Sequence, residues 1–169
     1  RILNLFAYTG CATMAASSAG ASEVVHVDSS KGMIDWAKIN MHLCHLENNT
    51  IRFIQDDVLK FLDREARRHR TYHGIIMDPP SYGRGPNNEI WRFEDNIQEL
   101  LSKVKLILDP NFDFLLISAY TTGTSPTSLK NILSLTFPNI HIETGEIGLP
   151  VTENNLSLPC GIYGKVSRN

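Results

Sequence analysis

Four aspartates and one glycine stand in this 169-residue chain where a nucleoside could be held. Asp28 closes the apolar run Val24-Val25-His26-Val27, Asp56-Asp57 follow the stretch 51–54, and Asp78 closes Gly74-Ile75-Ile76-Met77. Gly10 ends Phe6-Ala7-Tyr8-Thr9-Gly10, directly after the first apolar run. A glycine turn lets backbone N–H groups approach a ligand. An acidic residue about 20 positions later is placed to hold ribose hydroxyls. Each aspartate taken singly has a plain structural role open to it, as helix N-cap or turn residue. Their joint arrival at consecutive strand ends is what points to a site. None has metal-ligand spacing. His42, Cys44 and His45 sit at helical positions that do not converge on one ion, so no metal site is expected.

Alternating strands and helices must position those residues. Apolar runs predict strands at 2–6, 24–28, 51–54, 73–78 and 112–120. The small-residue stretch 11–19 suits a helix packed closely on a sheet. Helical spacing of Ile34, Ala37, Met41 and Cys44 predicts a helix over 31–45, and Val58, Phe61, Leu62 and Ala66 mark the buried face of the next. The clearest amphipathic stripe is Phe93, Ile97, Leu100, Leu101, Val104 and Leu108. Ser125-Pro126 reads as an N-cap with Pro at the first helical position, opening 127–137. The segments 139–147 and 161–166 are expected to close the sheet as an antiparallel pair. Such alternation predicts one doubly wound, Rossmann-like α/β domain over residues 1–169: a seven-stranded, mostly parallel sheet between two helical layers. At the carboxyl edge of such a sheet, ligands bind.

Composition narrows the class. With 42% hydrophobic and 20% charged residues, the chain is ordinary for a globular domain. It has no apolar run near the roughly 20 residues of a membrane span. Three scattered cysteines, Cys11, Cys44 and Cys160, suit a reducing cytoplasm better than a disulfide framework. The net charge of −2 argues against nucleic-acid binding through an overall field. A nucleic-acid partner would need a local basic patch or another domain. The cluster Arg64, Arg67, Arg68, His69 and Arg70 reads as a solvated helix end, where cations are favoured by the helix dipole. The chain opens at Arg1 without Met, so further sequence upstream is expected.

Two nucleoside cofactors fit four such carboxylates, a nicotinamide dinucleotide or S-adenosylmethionine. A pyrophosphate needs a glycine-rich turn. Here Phe6 and Tyr8 crowd that turn and only Gly10 remains, which suits a ligand without phosphates. The segments 3–10, 27–31, 56–58, 78–82 and 158–163 occur in that order, and together they resemble class I S-adenosylmethionine-dependent methyltransferases. The similarity is greatest to the bacterial group acting on cytosine and guanine of large-subunit ribosomal RNA. Asn4 replaces a common acidic residue, and Phe6 and Tyr8 replace two usual glycines, departures that occur within this group.

The resemblance implies S-adenosylmethionine as cofactor, RNA as substrate with ribosomal RNA favoured, and an RNA-binding domain upstream. Phe6, Tyr8, Thr9 and Gly10 would meet the methionine moiety and sugar through their backbone. Asp28 would hold the ribose, with Ser29 beside it. Asp57 would face the adenine, with Val58 packed on the ring and Asp56 the alternative. Asp78 and the Pro79 carbonyl would lie beside the transferable methyl group. Methylation at pyrimidine carbon 5 needs a covalent cysteine. The loops 78–83 and 118–122, where such enzymes carry one, have none, and Cys160 reads as a small buried hydrophobe. A base nitrogen is therefore the expected acceptor, with Tyr82 stacked on the base and Trp91 and Tyr120 as further stacking candidates. A nicotinamide-dependent oxidoreductase and a non-catalytic RNA-binding module of the same fold are the competing expectations. The oligomeric state is open between monomer and homodimer.

Overall fold

The computed structural model describes residues 1–84 and 90–168. Strands β1 (Ile2–Leu5), β2 (Val24–Asp28), β3 (Ile51–Gln55) and β4 (Gly74–Met77) alternate with helices α1 (Cys11–Ser18), α2 (Lys31–Leu43) and α3 (Val58–Arg67). A two-stranded hairpin, β5 (Tyr82–Arg84) and β6 (Ile90–Arg92), precedes α4 (Phe93–Ile107). Then come β7 (Phe114–Ala119), α5 (Pro126–Thr136), β8 (His141–Pro150) and β9 (Ser157–Ser167). The main sheet has seven strands in the order β3-β2-β1-β4-β7-β9-β8. Its first five are parallel, and β9 runs antiparallel to both β7 and β8. This is the Rossmann-like doubly wound sheet with an antiparallel C-terminal pair that the sequence predicts.

Strand order reverses between β1 and β4, the switch point where an open sheet leaves a crevice. The inner strands are covered along one face and, over β1 and β2, on the other as well, so they read as largely apolar runs. On one face Leu3, Leu5, Val25, Val27, Ile75, Met77, Leu115 and Ile117 pack against Phe61 and Leu62 of α3, Leu100, Leu101 and Val104 of α4, and Leu129 and Leu133 of α5. On the other, α1 and α2 place Met14, Ile34 and Ala37 over β1 and β2. That face stays open over β4 and β7, where Ile2, Ile76, Phe114 and Leu116 form an apolar groove with the alanines of α1.

Helix starts follow their local chemistry. Ser30 and Asp57 cap α2 and α3, accepting from the amides of Met33 and Lys60. Ser125 and Ser128 form a reciprocal capping box with Pro126 at the first helical position.

Three details depart from the sequence expectation. The β5–β6 hairpin is new, because strands of three residues are too short to show a period. Helix α4 buries Ile107 and stops there, and Leu108 turns extended to bridge Tyr72. The closing pair is longer than 139–147 and 161–166, and its register shifts between Ile147 and Gly148.

Behind α3, the fully buried Glu65 accepts a 2.6 Å hydrogen bond from the Tyr72 hydroxyl. Its other oxygen accepts from Arg68 at 3.4 Å. Tyr72→Phe leaves a buried carboxylate short of a donor, and we expect a loss of about 1–3 kcal/mol in urea unfolding. An unchanged midpoint would show that Arg68 alone satisfies Glu65.

Candidate active site at the carboxyl edge of the sheet

The turn after β1 is the most constrained backbone in the chain. Phe6 (φ 53°), Tyr8 (φ 48°) and Gly10 (φ 86°) all lie in the left-handed region, which costs a non-glycine residue of order 1–3 kcal/mol. Hydrogen bonds hold the turn there. Ala7 N donates to the Val27 carbonyl, Gly10 N to the Ala7 carbonyl, and Asn40 Nδ2 to the Thr9 carbonyl at 2.9 Å. A Cβ on Gly10 would come within 3.1–3.3 Å of Met14, Ala37 and His26, so this glycine is fixed by space as well as by φ. The two bulky residues that replace glycines in the sequence pattern thus adopt the backbone that glycine would favour.

Asp28 ties this turn to the next element. Its Oδ2 accepts from Tyr8 N and its Oδ1 from Ser30 N, both at 2.9 Å. A carboxylate has about four acceptor positions, so it retains capacity for a pair of hydroxyls. Asp57 and its sequence alternative Asp56 now separate. Asp56 is ion-paired with Arg64 and accepts from Asp57 N. Asp57 caps α3 and also lines a cleft with Val58 and Leu59. That cleft is completed by Phe6, Asp28, Ser29, Pro80 and Trp91. A second, more open cavity adjoins it and shares Phe6, Asp28, Ser29 and Pro80. It continues to Tyr8, Asp78, Pro79 and Tyr120.

The loop after β4 is pinned at its ends and free at its centre. Asp78 N donates to the Leu5 carbonyl, Phe93 N to the Ser81 carbonyl, and Thr121 Oγ1 to Ser81 Oγ. Trp91 Nε1 donates to the Pro80 carbonyl at 2.6 Å, and its ring packs tilted on Phe6 with centroids 5.1 Å apart. Among the described residues, nothing donates to the Pro79 carbonyl or to the Asp78 side chain. Asp78 is open to solvent on one side, while the surrounding protein pushes its pKa upward by desolvation. Its negative charge also reaches Tyr120, whose pKa is raised mainly by burial. Gly161 (φ 154°) makes room for that tyrosine, since a Cβ there would fall 2.6 Å from the Tyr120 ring.

The structure gathers Phe6, Tyr8, Asp28, Ser29, Asp57, Val58, Asp78 and Pro79 around one continuous groove. Thr9 and Gly10 stand behind it, shaping the turn. Tyr82 lies outside the cavities, 52% exposed, with its hydroxyl accepting from Arg84 Nε. Trp91, a further stacking candidate in the sequence, forms a wall of the cleft with its indole. Pro80, Leu59, Gly83 and Arg84 were missed as lining residues, and only the missed hairpin could have revealed the last two. Cys160 is partly buried and directs its thiol to the Ile147 carbonyl. Among the described residues, no cluster of three or more His, Cys, Asp or Glu could hold a metal, and no helix is long and apolar enough to cross a membrane.

Such a groove, at the switch point of this sheet, is where a doubly wound α/β protein holds its ligand. A family profile of S-adenosylmethionine-dependent methyltransferases matches residues 1–138, and the chain belongs to that family. S-adenosylmethionine is accordingly its cofactor, and the nicotinamide alternative is not favoured. The chain is 42% identical over 87 residues to the ribosomal RNA large subunit methyltransferase K/L of Syntrophotalea carbinolica, covering 52% of this chain and 12% of that protein. It is 38% identical over 82 residues to the ribosomal RNA large subunit methyltransferase I of Cronobacter sakazakii, covering 48% and 21%. The crystal structure of an S-adenosylmethionine-dependent methyltransferase from Agrobacterium tumefaciens superposes with a TM-score of 0.94 at 35% identity, covering 99% of this chain and 56% of that one. The chain thus spans only a small part of these curated relatives and about half of the solved one.

Beneath the turn, Asn4 Nδ2 donates to Thr13 Oγ1, which lies 2.9 Å from His26 Nδ1. The other ring nitrogen, the buried Nε2, has no partner among the described residues. Burial lowers the His26 pKa from 6.5 to about 4, and nearby Asp28 opposes that shift. The lowered folded-state pKa means that this contribution to stability is complete above pH 6.5 and is lost as pH falls through 4. Between pH 7.5 and 4.5, His26→Gln should lose less stability than the wild type by about 2–3 kcal/mol in urea unfolding. Equal losses would show that His26 takes up its proton in the folded protein as readily as in the unfolded chain.

Proposed function

We propose that this chain is the catalytic domain of a methyltransferase that modifies a base nitrogen of RNA, with ribosomal RNA the favoured substrate. The observation that carries the reading is the pair of unengaged acceptors, the Asp78 carboxylate and the Pro79 carbonyl, side by side at the cleft. The names of the curated relatives support RNA as the substrate class. An RNA-binding domain elsewhere in the parent protein and a cytoplasmic setting belong to the same proposal.

The residues present fit the cofactor. The cleft offers a carboxylate for a diol at Asp28, a carboxylate and an apolar wall for an adenine at Asp57 and Val58, and a left-handed turn with no bulk beyond Phe6 and Tyr8. Backbone from Phe6 to Gly10 would hold the methionine portion, with Ser29 beside the ribose. Bound S-adenosylmethionine supplies an electrophilic methyl group on a sulfonium. The protein's own task is alignment and exclusion of water. Asp78 and the Pro79 carbonyl accept from an exocyclic amine and aim its lone pair. The raised pKa of Asp78 suits it to take the proton that the methylated nitrogen must release. Tyr82, at the rim, stacks on the base or its neighbour. The absence of cysteine from 78–83 and 118–122, together with the inward-bonded Cys160, favours nitrogen over pyrimidine carbon 5.

Asp28→Ala removes charge-assisted hydrogen bonds and should weaken S-adenosylmethionine binding by about 10- to 100-fold in calorimetry. Asp78→Asn should keep cofactor affinity within a few-fold while methyl transfer falls about 100-fold. The assay is tritiated methyl incorporation into ribosomal RNA from a strain lacking the gene. A wild-type protein that binds no cofactor sinks the enzymatic reading. Cofactor binding with no acceptor in any cellular RNA would favour a non-catalytic module instead.

A further inference from the structure

The β5–β6 hairpin has two chemically distinct faces. Its register pairs Tyr82 with Arg92, Gly83 with Trp91, and Arg84 with Ile90. Side chains alternate along each strand, so Gly83 and Trp91 share one face and Tyr82, Arg84, Ile90 and Arg92 the other. The first face is turned inward, where Trp91 packs on Phe6 and donates to Pro80. Every described residue of the second face is exposed. Arg84 also reaches the rim of the cleft.

We propose that this outer face grips the RNA strand carrying the acceptor base, with Arg84 and Arg92 on its phosphates and Tyr82 against a neighbouring base. The assignment rests on the RNA reading above and names the element that touches the strand. Neither guanidinium meets a carboxylate among the described residues, which is also true of Arg67, Arg70 and Arg168 away from the cleft, whereas Arg64 pairs with Asp56, Arg68 with Glu65, and Arg52 and Arg1 with Glu23. Arg84 Nε lies 3.3 Å from the Tyr82 hydroxyl, so cation and aromatic ring form one surface. Diagonal positions in an antiparallel ladder are roughly 7–8 Å apart, and like charges so placed repel unless an anion lies between them. A guanidinium fork is suited to bind phosphate bidentately.

Position adds to charge. Tyr82 follows Asp78 by only the Pro79-Pro80-Ser81 link, so a base held at Asp78 brings its own backbone against the hairpin. The other basic cluster, Arg64 to Arg70, ends α3, which starts at the cleft with Asp57 and runs away from it. An acidic domain that must attract RNA near its site therefore has two cations in the right place on this hairpin, neither held by a described carboxylate.

The test is fluorescence anisotropy of a fluorescein-labelled, unstructured RNA oligonucleotide with the full-length protein, titrated across a series of KCl concentrations. Wild type is compared with Arg92→Gln and with the double variant Arg84→Gln/Arg92→Gln. We expect the double variant to bind at least about tenfold more weakly at low salt, with a log–log salt slope shallower by about 0.7 for each phosphate no longer neutralised. Arg92→Gln should flatten the slope by one such step while calorimetry shows S-adenosylmethionine affinity within about twofold of wild type. If wild type binds the RNA and the double variant matches it in affinity and slope, the hairpin assignment falls and the RNA reading stands. A wild type with no salt-sensitive RNA binding overturns both. Loss of cofactor affinity in Arg92→Gln would overturn the assignment too, by giving that arginine to the cleft.

Discussion

One carboxylate holds the cleft in shape. Asp28 accepts from Tyr8 N on one side and Ser30 N on the other, so the turn after β1 and the start of α2 are fixed to the end of β2, an inner strand buried from Val24 to Val27. Without it, the left-handed Tyr8 would lose the bond that offsets its strain, and the turn would lose its reason to bend. The strand that carries Asp28 is flanked by β1 and β3, each in parallel register. Its position is therefore set by the sheet, not by the loops around it. A ligand diol meeting Asp28 meets a preorganised acceptor, with little ordering cost left to the binding step.

The loop after β4 applies the same principle to chemistry. Prolines remove two amide donors, leaving carbonyls that must find partners or stay available. Trp91 takes the Pro80 carbonyl, Phe93 N takes that of Ser81, and among the described residues the Pro79 carbonyl remains open. Stiffness and unsatisfied acceptors at one spot favour a partner that brings donors, and an amino group is one. The same tryptophan touches Phe6 of the first turn. The turn after β1 and the loop after β4 are thus also joined through this indole.

The alternation of strands and helices, the layer arrangement and the edge bearing the aspartates were legible because each rests on runs of several residues. Asp28, Asp57 and Asp78 could be placed at strand ends without coordinates. What separates Asp56 from Asp57 could not, since it depends on the reach of Arg64 from a later turn of α3. Nor could the hairpin, whose three-residue strands carry no periodic signal, and with it went the true position of Trp91. Gly161 was visible only as part of a motif; its purpose, clearance for the Tyr120 ring, needs the antiparallel pairing of β7 and β9. The open apolar groove over β4 and β7 was equally hidden, because a strand covered on both faces and one covered on a single face differ only weakly in sequence here.

The acidic edge raises an electrostatic question for any RNA substrate, because screening in physiological salt acts only beyond about 8 Å. The carboxylates are not equally repulsive. Asp56 is neutralised by Arg64, and Asp28 and Asp57 accept backbone amides at helix starts, where positive dipole ends lie. Asp78 is the one of the four that no described group donates to, and desolvation pushes its pKa upward. A sulfonium in the groove would add a positive charge close to it. The field an approaching strand meets is then set less by the chain's net charge than by which cations near the groove are not already held. That distinction decides the outcome: paired arginines such as Arg64 hold the protein's own carboxylates, while arginines not so engaged are left to act outward.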